Sequence, residues 1–371
     1  MLNGTHVLQD RAPAGPVLHW FLPTSGDGRG VGDGARTGVV APGHRPPTLD
    51  YLAQIARAAD ELGFAGVLTP TGTWCEDAWI VTAALIRETR RLRFLIAFRP
   101  GLVTPTLAAQ MAATFQRLSH GRAALNVVTG GEEAEQRRFG DWLEHDDRYA
   151  RADEFLSVVR GAWADVPCNF DGDHYRVEGA TVREPPRPAP PVYFGGASPV
   201  AEAIAARHAD VYLLWGEPPA MIGERIERVR SLAEAEGRRL RFGVRLHVIT
   251  RPSASDAWAI AERWLAEMEP AAVERAQVRL AQSSSVGQQR MLALHGGRRD
   301  SLEVAPNLWA GVGLVRGNAG TALVGSHAEV AERIEEYRDL GCDEFILSGF
   351  PHLEEAYWVA EGVAPLLRRS A

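Results

Sequence analysis

Arg245 and His247 stand two residues apart near the end of an apolar, strand-like run at 241–250, and residues two apart on a strand face the same way. A permanent cation beside a titratable imidazole suits an anionic substrate, with proton transfer close at hand. An internal ion-pair network would use the same two residues, so their meaning depends on what else reaches the same place. Several other apolar runs also end on polar, aromatic or cationic residues. One runs into Thr69 and on through Cys75 to Asp77, a second into Asn126 through Thr129 to Gly131, and a third into Gly195-Gly196-Ala197-Ser198-Pro199. Two more lead to Trp215-Gly216-Glu217-Pro218 and to Ser348-Gly349-Phe350-Pro351-His352.

Each of these has a plain structural reading beside the chemical one. Gly195 and Gly196 make a turn, and Ser198 before Pro199 makes a good N-cap with proline in the first helical turn. Glycines that admit a close backbone, followed by a helix start with unpaired N–H groups, also describe a phosphate cradle. Cys75 fits a packed small hydrophobe more readily than a reactive thiol. Trp215 precedes a Gly-Glu-Pro-Pro exit, which puts its ring at the strand's mouth. His145 to Tyr149 opens a helix, where the charges also suit an ordinary first turn.

The elements that must carry these residues alternate strand-like and helix-like with short connections, the pattern of a parallel sheet with helical crossovers. Leu52, Ile55, Ala59 and Leu62 recur at helical spacing, and Gly63 supplies a left-handed stop before an extended run at 64–70. The same grammar returns near the end: Ser326 and Glu329 form a capping box, Val330, Ile334 and Tyr337 make a buried stripe, and Gly341 ends the helix. Strands are expected at 17–22, 64–70, 92–98, 123–128, 192–194, 211–214, 242–249 and 345–347. Eight such units predict a closed (β/α)8 TIM barrel in a single domain over 1–371, with an open doubly wound sheet as the alternative. Either places the chemistry at the carboxyl ends of the strands.

Composition limits the partners. With 371 residues, 46% hydrophobic and 23% charged, the chain can bury a large core. A formal net charge of -7 gives no basic footprint for nucleic acid, so any anion needs a local cationic pocket. Three cysteines with no ligand-like spacing imply neither a disulfide framework nor a metal site. Neither a secretory signal nor a bilayer-spanning run is evident, so a cytoplasmic protein is expected. Two segments break the short-connection rule: a Gly- and Pro-rich extended loop at 24–47, and a stretch at about 270–320 that retains Trp309 and Arg316. The second is expected to be either a solvated insertion or a mobile lid that brings Arg316 over an anion.

Taken together, Trp20-Phe-Leu-Pro-Thr24, Cys75-Glu-Asp-Ala-Trp79, Asn126-Val-Val-Thr129, Tyr193-Phe-Gly-Gly196, Trp215-Gly-Glu-Pro-Pro219, Arg245-Leu-His-Val248, Asn307-Leu-Trp-Ala-Gly-Val-Gly-Leu-Val-Arg316 and Pro351-His-Leu-Glu-Glu355 closely resemble the FMNH2-dependent alkanesulfonate monooxygenases. These belong to the bacterial-luciferase-like flavin barrels. The resemblance runs over roughly 17–368 and fails at the N-terminal extension, at 31–44 and at the abrupt C-terminus.

The resemblance implies a two-component system in which an NAD(P)H-dependent FMN reductase supplies reduced FMN. The chain would use it with O2 to convert an alkanesulfonate to an aldehyde and sulfite, and would assemble as a homodimer or homotetramer. Cys75, Trp215, Arg245, His247, Arg316 and His352 match the family's active-site positions. Asn126, Tyr149 and Ser198 match positions that hold the flavin and its phosphate, and Thr129, Gly196 and Ala197 lie on the same strand ends. Phe350 departs from the family, which commonly has tyrosine there; a phenyl ring cannot donate the hydrogen bond that a phenol can. A relative acting on a short sulfonate or sulfone, a deazaflavin-dependent oxidoreductase and a non-catalytic flavin-binding barrel are the other readings.

Overall fold

Helix Leu49–Leu62 begins at Thr48, whose side chain accepts from the Tyr51 N–H, and ends at Gly63 with φ 87°. That left-handed cap, open to glycine at little cost, turns the chain straight into the next strand. In the computed structural model, which describes residues 15–32 and 43–367, this unit recurs around a ring. The strands are β1 (Val17–Phe21), β2 (Gly66–Thr69), β3 (Arg93–Phe98), β4 (Ala123–Val127), β5 (Cys168–Asp171), β6 (Arg176–Ala180) and β7 (Val192–Gly195). They continue as β8 (Val211–Trp215), β9 (Arg241–Arg251), β10 (Glu303–Ala305), β11 (Leu308–Trp309), β12 (Ala322–Ser326) and β13 (Glu344–Ser348).

Eight of them close a barrel of parallel strands in the order β1-β2-β3-β4-β7-β8-β9-β13, with β13 returning to β1. The expected (β/α)8 TIM barrel is the fold, and the open sheet is excluded. Inside it, Leu68, Leu95, Ala124, Tyr193, Val211 and Ile346 form a packed layer. A much larger core lies between the strands and the surrounding helices. At the amino end of the barrel, Glu344 accepts from Tyr193 Oη at 2.8 Å, pairs with His19 Nε2 at 2.9 Å and meets Arg241.

Two features differ from the sequence reading. β9 is eleven residues long: its first half pairs with β8 and β13, and its second half pairs in parallel with β12, a ninth parallel strand that was not expected. The stretch at 270–320 is not an irregular loop. It folds into helices Pro270–Ala281 and Val286–His295, the antiparallel pair β10 and β11, and a short helical turn at Gly311–Leu314. Val273, Leu302, Trp309, Val312 and Leu314 form a second core with Trp264 from helix Ala254–Glu267 and with Phe350. In the 24–47 loop the described residues carry no helix or strand, only an isolated antiparallel bridge between Asp27 and Arg45. The N-terminal extension and most of 31–44, where the resemblance fails, lie outside the described residues. No described helix is long and apolar enough to cross a membrane.

Candidate active site

Parallel strands bring all their carboxyl ends to one rim, and there a cavity of about 260 Å³ opens. Trp215, Arg245, His247, Arg316 and His352 line it, as do Asn126, Thr129, Tyr149, Gly196 and Ala197. Cys75 and Ser198 do not. The Cys75 thiol turns back to the carbonyls of Gly72 (3.5 Å) and Pro70 (3.7 Å), and the Ser198 hydroxyl caps helix Pro199–His208 by accepting from the Ala201 N–H. Among the described residues no group of His, Cys, Asp or Glu could hold a metal ion.

His247 is buried with both ring nitrogens engaged. Nε2 donates to the Ala319 carbonyl at 3.1 Å, which leaves Nδ1 to accept from the Ser348 hydroxyl at 2.9 Å. Burial lowers its pKa well below the ordinary histidine value, and the nearby charges of Arg245, Arg316 and His352 lower it further. His247 is therefore neutral near pH 7 and reports a positive local field. Arg245 lies over the Phe21 ring at 4.2 Å, and Arg316 lies over the Phe350 ring at 4.6 Å while its Nε donates to the Val31 carbonyl.

Phe350 is the hub of this cluster. Its ring stacks on His247 at 5.5 Å and meets His352 edge-on at 5.0 Å, with Trp264 at 5.8 Å. The phenyl group packs against His247 and His352 and donates no hydrogen bond to either.

Another part of the cavity lining is glycine: Gly130, Gly131, Gly195 and Gly196. Gly196 has φ +151°, and a Cβ there would stand 2.8 Å from Tyr149 Oη and 2.5 Å from Ala201 Cβ. A Cβ on Gly131 would meet Ser285 at 2.6 Å. Burial raises the Tyr149 pKa, although hydrogen bonds with Thr129 and Ser198 oppose the rise, so the phenol keeps its proton. This cradle of backbone, hydroxyls and a helix start fits the phosphate end of a flavin mononucleotide.

A luciferase-like monooxygenase family model matches residues 18–344. The chain belongs to that family. Solved structures agree on the fold of this luciferase-like monooxygenase. A riboflavin lyase, RcaE, solved with modified FMN and riboflavin, superposes with a TM-score of 0.81 at 21% identity over 96% of this chain and 92% of its own. The long-chain alkane monooxygenase LadA gives 0.75 at 20% identity over 96% and 92%. The EDTA monooxygenase EmoA from Chelativorans sp. BNC1 gives 0.73 at 18% over 96% and 94%.

The luciferase-like site also contains residues that the sequence reading missed. Asp27 bonds His352 Nδ1 at 2.8 Å. Arg99 pairs with buried Glu135, which also accepts from the Thr73 N–H and so anchors the loop bearing Cys75. Glu217 receives Arg290 at 2.7 and 2.8 Å and Arg225 at 3.1 and 3.2 Å. Through Arg290 it ties helix Val286–His295 to the end of β8. Gly287 of that helix lies against Trp215, where a Cβ would come within 3.1 Å of the ring. A strand-end position marked Glu217, but nothing in the sequence pairs it with an arginine 73 residues away.

Proposed function

We propose that this luciferase-like monooxygenase takes reduced FMN from a separate NAD(P)H-dependent reductase and desulfonates an alkanesulfonate. In the balanced reaction, the sulfonate, O2 and the two reducing equivalents give an aldehyde, sulfite, a proton, water and oxidised flavin. The supporting observation is that Arg245, Arg316 and His352 surround a neutral His247 in a cavity that also contains the glycine cradle.

Reduced flavin, when bound, supplies the electrons for oxygen activation. Gly196, Ala197, Asn126, Thr129 and Tyr149 would hold it, with Ser198 acting through the helix start it caps. A sulfonate stays anionic at every working pH, so it needs cations that do not titrate, and guanidinium groups meet that need. Arg245 and Arg316 hold the sulfonate. His352 sits where it can accept or return a proton at Nε2. Helix Val286–His295, whose Gly287 and Gln288 line the cavity together with Ser283 and Ser285, would exclude water on that side, which strengthens each charge contact within.

The test is a panel of alkanesulfonates, short to long and including a sulfone, scored by sulfite release with and without an FMN reductase. Reductase-dependent sulfite from at least one sulfonate is expected. Oxygen consumption with chemically reduced FMN but no sulfite from any sulfonate would reject the substrate class and retain the monooxygenase. Failure to consume oxygen would turn the assignment toward deazaflavin hydride transfer.

A further inference from the structure

The Asp27 carboxylate is buried in the loop after β1 and accepts four hydrogen bonds. Oδ1 takes the Gly28 N–H at 2.9 Å and pairs with His352 Nδ1 at 2.8 Å. Oδ2 takes the Tyr51 hydroxyl at 2.6 Å and the His352 backbone N–H at 2.7 Å. An ionised carboxylate offers about four lone-pair sites, and all of them are filled. Burial alone would raise the Asp27 pKa, but the charge and hydrogen bonds of His352 and the Tyr51 hydroxyl bring it below the ordinary carboxylate value. Asp27 is therefore acceptor-only, and Nδ1 of His352 must be the donor.

Among the described residues nothing bonds His352 Nε2, and the ring lines the cavity. We propose that Asp27 is a positioning residue for His352, fixing its Nδ1–H tautomer and presenting the Nε2 lone pair to the reacting groups. The same logic holds the histidine of a Ser-His-Asp triad, where an aspartate sets tautomer and orientation. His352 acts electrostatically on His247 of β9, as do Arg245 and Arg316, while Tyr51 from helix Leu49–Leu62 and, beyond it, Arg45 with Glu354 lie on the Asp27 side. Arg45 donates to Tyr51 Oη at 3.0 Å and also pairs with Glu354. The carboxylate is thus buttressed on the side away from the histidine. Tyr51 and Asp27 form one chain ending on Nε2.

The inference rests on the reading of this cavity as the reaction site, but its first readout needs neither flavin nor sulfonate. The full chain labelled with 15N-histidine, with His352 assigned by His352→Asn, should show Nδ1 protonated and Nε2 bare at alkaline pH. Asp27→Asn cannot accept all four donors, because its amide nitrogen turns two more N–H groups toward them. That variant should lose the Nδ1–H pattern and lower kcat on the order of 100-fold, leaving KM and FMN affinity nearly unchanged. Tyr51→Phe keeps the carboxylate and should keep the wild-type tautomer. An Nε2-protonated His352 in the unmodified protein overturns the assignment whatever the turnover, and so does an Asp27→Asn variant with wild-type tautomer and kcat. If Asp27→Asn fails to fold, the wild-type and Tyr51→Phe spectra decide. If no sulfonate is turned over but Nδ1 carries the proton, the substrate class falls and the role of Asp27 stands.

Discussion

Arg245 and Arg316 each lie against an aromatic face, which fixes the plane of each guanidinium by its flat side; on the proposed reading both groups contact the sulfonate. Replacing Arg245 by alanine is expected to weaken sulfonate binding by about 2–5 kcal/mol, the range for a lost charge-assisted partner, as measured by the substrate Kd. Arg316→Ala should raise the sulfonate KM or abolish sulfite release while reduced FMN still binds, which separates the anion contact from the cradle. Because both arginines depress the His247 pKa, removing either should move its NMR titration upward, toward the ordinary histidine range. A fixed midpoint would mean that the removed charge does not act on the ring. The facing of Arg245 and His247 was legible from two-residue spacing alone. The pairing of Asp27 with His352 was not, because it joins positions 325 residues apart and only the closed ring brings β1 beside β13.

Helix Val286–His295 shows how an element escapes pattern reading. The residues it buries are Gln288, Met291 and His295, so the inward face is mostly polar and no apolar stripe betrays it. Helix Pro270–Ala281 did carry its signal, with proline at the start and Val273, Ala276 and Leu280 inward. The hold on the first of these helices comes from side chains: Arg290 on Glu217, and Gln288 Oε1 accepting the Asn318 N–H at 2.9 Å. Glu217→Gln leaves Arg225 and Arg290 without their shared anion, and removing one member of a buried ion pair costs about 3–5 kcal/mol. Amide exchange across 286–295 should then accelerate by on the order of 100-fold relative to the barrel strands, as read by mass spectrometry. Unchanged exchange would show that the second core alone holds the helix.

Across the whole molecule the barrel puts different features at its two poles: the candidate site at the carboxyl rim and a buried ion-pair cluster at the amino rim. Glu344 anchors the latter. Burial raises its pKa, but His19, Arg241 and Tyr193 outweigh that and leave it below the ordinary value of 4.5. With the folded value depressed, its stabilisation is complete above the ordinary carboxylate range and is lost as pH falls through the folded value. Thermal melts should therefore show Glu344→Gln destabilised at pH 7, with the gap to wild type closing under acid. The repeat of helix, left-handed glycine and strand made the eight-fold ring readable. β12 stayed hidden because Ala322 to Ser326 offers only a short apolar run after a glycine-rich stretch. β9 passes from β8 to β12 at its middle, within two residues of Arg245 and His247. The excursion at 270–320 is thus spliced into the backbone that aims the Arg245 and His247 side chains. Anyone grafting that excursion onto a sister enzyme to change its substrate would have to transplant β12 and the far half of β9 with it, or the donor's specificity would arrive out of register.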